Sequence, residues 1–135
     1  MDVALLGVVV PGVENHSLDV LGRALAEAGA SHRVMPFRGF AAMDEMVADV
    51  LAADPRVCGL SLQTTEAALA ILTFAKLLRR AGYRGTIVVG GHLATLAGDA
   101  ILGTGAVDVV VELDGEAALV GLARGEDPRT LPGTA

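Results

Sequence analysis

Apolar runs of strand length alternate along the chain with segments in which apolar residues recur at helical spacing. The predicted strands cover residues 3–10, 32–37, 57–62, 86–89 and 107–111. The first run is apolar at every position, which is typical of a strand buried on both faces of a parallel sheet. The predicted helices cover residues 17–28, 42–53, 66–81 and 94–102, and a last helix begins at 115–122.

This β-α unit occurs five times, and its connections are short enough to require parallel strands with right-handed crossovers. We therefore predict an α/β fold of the flavodoxin-like (Rossmann-like) kind, a doubly wound five-stranded parallel sheet with strand order 2-1-3-4-5. The domain is expected to span residues 1–124. Residues 125–135 lose the periodicity and are interpreted as a tail or the start of a linker.

The composition of the chain excludes several classes of function. The chain has 135 residues, 53% of them apolar but only 3% aromatic, so one core must be built mainly from aliphatic side chains. Its net charge of −6 argues against nucleic acid as a partner. The longest apolar run is too short to cross a membrane and no basic segment precedes it, so we expect a cytoplasmic protein. The single cysteine, Cys58, excludes an internal disulfide and a cysteine-based metal site.

In a doubly wound sheet, ligands bind at the carboxyl ends of the strands, beside the switch in strand order. The first and third strands flank that switch, which directs attention to the loops at residues 11–17, 61–65, 90–92 and 112–116. Capping of the third helix needs only one of Thr64 and Thr65, which leaves other hydroxyls available at this strand end. Gly90-Gly91 either forms a plain turn or lets a flat ligand lie against the backbone.

The other polar residues of these loops have two interpretations each. Glu14, His16 and His92 are either solvated side chains or ligand contacts, and the acidic turn at residues 112–116 either supplies charge at a helix N-terminus or contacts a ligand. No Walker loop and no G-x-G-x-x-G motif is present. A phospho-receiver domain is disfavoured because Ser61 stands where its acceptor aspartate would be.

These loops resemble those of cobalamin (vitamin B12)-binding domains. Ser61-Leu62-Gln63 resembles the S-x-L element of that family, and Gly90-Gly91 matches its glycine pair after the fourth strand. The family's first loop carries D-x-H-x-x-G, whose histidine can ligate cobalt. A gapless alignment places Gly12, Glu14 and Ser17 at the three motif positions, so all three differ, and His16 is two residues out of register.

The cobalamin domains of B12-dependent radical S-adenosylmethionine (SAM) enzymes commonly lack this histidine, and two further segments resemble that branch. Residues 90–95 resemble its GG-x-H/x-P-T stretch, and residues 109–116 resemble its V-x-G-E-G-E turn, with Leu113 and Asp114 departing from it. Leu131-Pro132-Gly133 resembles the I-P-G that precedes the radical SAM barrel. The barrel's C-x-x-x-C-x-x-C motif is absent, so an iron–sulfur cluster and SAM would belong to a partner chain or a further C-terminal part.

The resemblance implies a cobalamin-binding domain that serves methyl transfer or a related reaction without catalysing it alone. It implies base-off cobalamin, with no histidine ligand and no catalytic or metal-ligating residue in this chain. The implied cofactor-binding residues are Gly12, Val13, Glu14, Ser17, Ser61, Leu62, Gln63, Thr64, Thr65, Gly90, Gly91, His92, Glu112, Asp114 and Gly115. Two alternatives stay open: the small subunit of a B12-dependent mutase, and a flavodoxin-like interaction module that has lost the cofactor.

Overall fold

The computed structural model describes residues 1–7, 16–62, 65–91, 100–103, 105–111 and 116–127. The strands are β1 (Val3–Gly7), β2 (His32–Pro36), β3 (Val57–Ser61), β4 (Thr86–Gly90) and β5 (Val109–Val110). The helices are α1 (His16–Glu27), α2 (Met43–Ala53), α3 (Thr65–Arg80) and α4 (Glu116–Ala123), and a 3-10 turn (Phe40–Ala42) precedes α2.

All five strands are parallel and lie in the order β2-β1-β3-β4-β5, which confirms the predicted fold class and strand order. The register is continuous across the centre of the sheet. Leu5 of β1 pairs with Val34 on one side and with Gly59 on the other, and Gly59 pairs with Val88.

Element boundaries differ from the predictions by a few residues. The helix predicted to begin at Glu66 includes Thr65, which therefore lies within α3 and does not precede it. β5 is shorter than predicted, although Val111 N still donates a hydrogen bond to Val89 O at 2.9 Å. Residues 100–102 are helical, as predicted. Parts of the first predicted strand (8–10), of the fourth helix (94–99) and of the tail (128–135) lie outside the described residues.

Helices cover both faces of the sheet, so successive strand residues are buried on alternate sides. On one side α1 and α4 pack against Val3, Leu5, Val57, Val88 and Val109. On the other side α2 and α3 pack against the intervening residues, Ala4, Leu6, Cys58, Leu60, Ile87 and Val89. Cys58 is thus a core residue, and burial raises the pKa of its thiol to about 12. No helix among the described residues is long and apolar enough to cross a membrane.

A polar cluster closes the amino edge of the sheet. The Arg79 guanidinium donates to the carbonyl oxygens of Tyr83 (2.9 Å) and Gly85 (2.8 Å), and it also pairs with the Asp108 carboxylate. That carboxylate accepts a further hydrogen bond from Ile87 N at 2.8 Å. The cluster therefore joins the end of α3, the start of β4 and the segment that enters β5.

We expect Asp108→Ala to lower the free energy of unfolding by about 1–3 kcal/mol, because Arg79 and Ile87 N both lose an acceptor. The matched control is Asp49→Ala, which removes an exposed pair with Arg38 at 3.5 Å and should cost less than about 1 kcal/mol. Urea unfolding of the two variants measures the difference. Equal losses would contradict a special role for the Arg79 cluster.

Candidate functional site

One stretch of the carboxyl edge of the sheet is almost free of side chains. Ser61 of β3 pairs with Gly90 of β4, and Gly7 follows Leu6, whose partner is Leu60, so Gly7 lies beside Ser61. The alternation of sides places all three on the face covered by α1 and α4. We call Gly7, Ser61 and Gly90 the carboxyl-edge floor.

Ser61 gives the floor its polar group. It is only 8% exposed and is the one buried polar residue among the residues that the structure describes. The neighbouring backbone is tied to β4, since Leu62 N donates to Gly90 O at 2.7 Å. A small buried hydroxyl between two glycines places a hydrogen-bonding group at the strand ends.

Nothing in the part of the chain that the structure describes requires glycine at position 90. Its φ lies outside the left-handed region, and a Cβ built there would meet its nearest atom, Val111 Cβ, at an ordinary 3.9 Å. Glycine inside a strand costs about 0.5–1 kcal/mol relative to alanine. The described residues thus give no structural reason for the missing side chain at Gly90, which makes this position a candidate for the close approach of a ligand.

At position 91, by contrast, the backbone of the chain itself requires glycine. Its φ is +112°, and a Cβ there would lie 2.6 Å from Leu62 O and 2.9 Å from Leu62 C. An L side chain rarely adopts that conformation, and the overlap is with rigid backbone. The two members of the glycine pair thus differ: Gly91 forms the turn, and Gly90 leaves the floor open.

Next to Gly59, two residues before Ser61 in β3, the core is filled by neighbouring side chains. A Cβ at this position would approach Leu5 Cδ2 to 2.9 Å and Leu119 Cδ1 to 3.9 Å. The missing side chain of Gly59 is replaced by these two leucines, one from β1 and one from α4, so the core is filled at this depth. The site is confined to the strand ends, between the sheet and the first turns of α1 and α4, where the positive ends of both helix dipoles lie.

The structure brings four of the predicted site residues together: Ser61, Leu62, Gly90 and Gly91. The Leu62 side chain is fully buried against α2 and α3, so only its backbone belongs to the edge. Ser17 lies in the first turn of α1 and Thr65 opens α3. The remaining predicted residues lie outside the described ones: Gly12, Val13, Glu14, Gln63, Thr64, His92, Glu112, Asp114 and Gly115.

Gly7 and Gly59 were not predicted as part of the site. Gly59 was detectable in principle, because a glycine inside a strand often marks a close approach of another group. Gly7 sits within an uninterrupted apolar run, where only the strand register reveals its neighbours. Among the described residues, no group of three His, Cys, Asp or Glu side chains could hold a metal ion.

The sheet order defines a flavodoxin-like domain, and the carboxyl-edge floor is its candidate ligand site. Residues 3–123 match the sequence profile of the B12 binding domain, and the chain belongs to that family. A comparison with curated proteins gave no match.

Solved structures show the same fold. TsrM from Kitasatospora setae, a radical S-adenosylmethionine methyltransferase, is 21% identical with a TM-score of 0.79, over 99% of this chain and 28% of that one. OxsB, a cobalamin-dependent S-adenosylmethionine radical enzyme, is 18% identical with a TM-score of 0.79, over 98% of this chain and 20% of that one. A flavodoxin from Pseudomonas aeruginosa is 18% identical with a TM-score of 0.54, over 92% and 97%. The chain therefore spans only a fraction of the first two.

The contrast between the two glycines predicts opposite effects on stability. Gly91→Ala should lower the free energy of unfolding by at least about 2 kcal/mol, from the left-handed φ and the overlap with Leu62. Gly90→Ala should leave it unchanged or raise it by up to about 1 kcal/mol. Denaturant unfolding of the two variants measures both. A large loss for Gly90→Ala would show that its glycine serves the fold.

Proposed function

We propose that this chain is the cobalamin-binding domain of a B12-dependent radical SAM enzyme. The observation that carries the proposal is the open position at Gly90, at the strand ends of a chain that belongs to the B12 binding domain family. The likeness in fold to TsrM and OxsB supports this branch of the family.

The site fits the shape and chemistry of cobalamin. The ligand combines a flat corrin ring, edged with amide side chains, with a nucleotide tail of sugar, phosphate and base. A flat ring suits the open strand ends, and a narrow tail suits the space between the sheet and the helices α1 and α4. A Cβ at Gly90 would point to the side of the sheet that α1 and α4 cover. It would therefore enter that space.

Each described residue of the floor has a distinct part in holding the tail. Gly7 and Gly90 would let it approach the backbone closely, and the Ser61 hydroxyl would hydrogen-bond to its polar atoms. The first turns of α1 and α4 would favour its phosphate, since helix N-termini attract anions. We further propose that the loop residues contact the corrin and its amides: Gly12, Val13, Glu14, Ser17, Leu62, Gln63, Thr64, Thr65, Gly91, His92, Glu112, Asp114 and Gly115.

Within the full system, bound cobalamin would supply a cobalt centre for transfer of a methyl group. This chain would bind and orient the cofactor, whereas the iron–sulfur cluster and SAM would lie on a barrel in a partner chain or in a further part of the protein. TsrM and OxsB are consistent with that division, because this domain corresponds to 28% of one chain and 20% of the other.

The two alternatives are less well supported. The small subunit of a mutase is disfavoured because Glu14 stands where that branch usually has the cobalt-ligating histidine. An interaction module without cofactor would have no use for glycine at position 90, which nothing in the described part of the chain requires. With the tail in the floor, its base is withdrawn from cobalt, so we expect base-off cobalamin with no protein nitrogen on the metal.

Gly90→Val tests where the tail lies. The added side chain should obstruct the floor and weaken cobalamin binding by more than about tenfold, a loss of about 1.4 kcal/mol or more. Cobinamide, which lacks the nucleotide tail, should bind the variant and the wild type equally. Absorbance titrations with hydroxocobalamin and with cobinamide measure both affinities.

Thr86→Val is the matched control, because it introduces the same side chain at the opposite end of β4. It should bind both ligands like the wild type. If Gly90→Val weakens both ligands equally, Gly90 contacts the corrin or supports the fold, and if it changes neither, the tail does not lie in the floor.

A further inference from the structure

One aromatic ring lies outside the core of a chain that has very few. The sequence holds four aromatic residues, Phe37, Phe40, Phe74 and Tyr83. Three of them are buried, whereas Phe40 is 57% exposed. Single exposed apolar residues are common on protein surfaces, so exposure alone assigns no role to this ring. The role that we infer for the ring comes from the position of Phe40 in the fold and from the contacts that hold its loop.

Phe40 opens the 3-10 turn between the carboxyl end of β2 and the start of α2. The loop begins against the floor, because Phe37 N donates a hydrogen bond to Gly7 O at 2.8 Å. Neighbouring strands are about 5 Å apart, so β2 lies only about 10 Å from β3 and Ser61. A corrin with its amide side chains is wider than two strand spacings, so a corrin centred over the floor extends across β1 towards this loop.

The loop is firmly held although the Phe40 ring is not packed in the core. Phe37 is buried and meets Phe74 edge-on, with ring centroids 5.8 Å apart at 83°. Arg38 N approaches Met46 Sδ of α2 at 3.3 Å. These contacts fix the residues before the turn, so the exposed ring would lose little conformational freedom when a ligand covers it.

We propose that Phe40 packs against the corrin of cobalamin and bounds the cofactor site on its β2 side. This inference rests on the proposed function and adds a residue that neither the sequence motifs nor the floor includes. The contact is apolar and involves the macrocycle, not the nucleotide tail. Substitution of Phe40 should therefore weaken the binding of both cobalamin and cobinamide, whereas substitution of Gly90 should weaken the binding of cobalamin only.

Phe40→Ala tests the contact. Part of a phenylalanine ring buried on binding is worth about tenfold in affinity. The variant should therefore bind hydroxocobalamin and cobinamide each about tenfold more weakly, because both ligands carry the corrin. Phe40→Leu should recover part of the loss. Val34→Thr is the control, since it removes an apolar group, 43% exposed, from the middle of β2, and it should bind both ligands like the wild type. Unchanged thermal unfolding shows that each variant is folded.

The outcomes separate this inference from the one it rests on. If the wild type binds both ligands and Phe40→Ala binds them equally well, Phe40 is no cofactor contact and its ring serves a protein surface. If only cobalamin is weakened, the ring touches the tail, and the corrin contact is wrong. If the wild type takes up neither ligand, the proposed function itself fails.

Discussion

The register of three central parallel strands is the constraint on which the rest of the structure depends. Because β1, β3 and β4 pair without offset, Gly7, Ser61 and Gly90 fall in one row and on one face. A shift of one residue in any of these strands would bring a large apolar side chain into the row and bury the small residue in the opposite core. The same register that fills two cores therefore brings two glycines and a serine together in one row at the carboxyl edge.

The two edges of the sheet differ in how they are closed. The amino edge is closed by polar contacts around Arg79 and Asp108, which join α3, β4 and β5. At the carboxyl edge a buried hydroxyl lies between two glycines, and only one member of the Gly90-Gly91 pair is needed by the backbone. We propose that cobalamin completes this edge of the sheet.

The fold was predictable because its signals are local and repeated. Apolar runs without alternation indicate strands buried on both faces, and a helix between successive strands favours parallel pairing. The site was predictable only as a region. From the sequence alone, Gly90 and Gly91 cannot be told apart. Only Gly91 lies against the backbone of Leu62, which is about thirty residues earlier in the chain, and this contact follows from strand pairing. Phe40 is not among the residues predicted from the sequence, because a ring in an apolar chain is expected in the core, and only the structure shows that it is exposed.

The central claim is that cobalamin binds with its nucleotide tail in the carboxyl-edge floor. Electron paramagnetic resonance of the bound cofactor in its Co(II) form tests it most directly, with His16→Ala recorded beside the wild type. We expect a base-off spectrum without nitrogen superhyperfine splitting in both proteins. Splitting that disappears in His16→Ala would show ligation by His16, and splitting that persists in this variant would show that cobalt is bound by the tail base or by another histidine. Either result would contradict base-off binding without a protein nitrogen on cobalt.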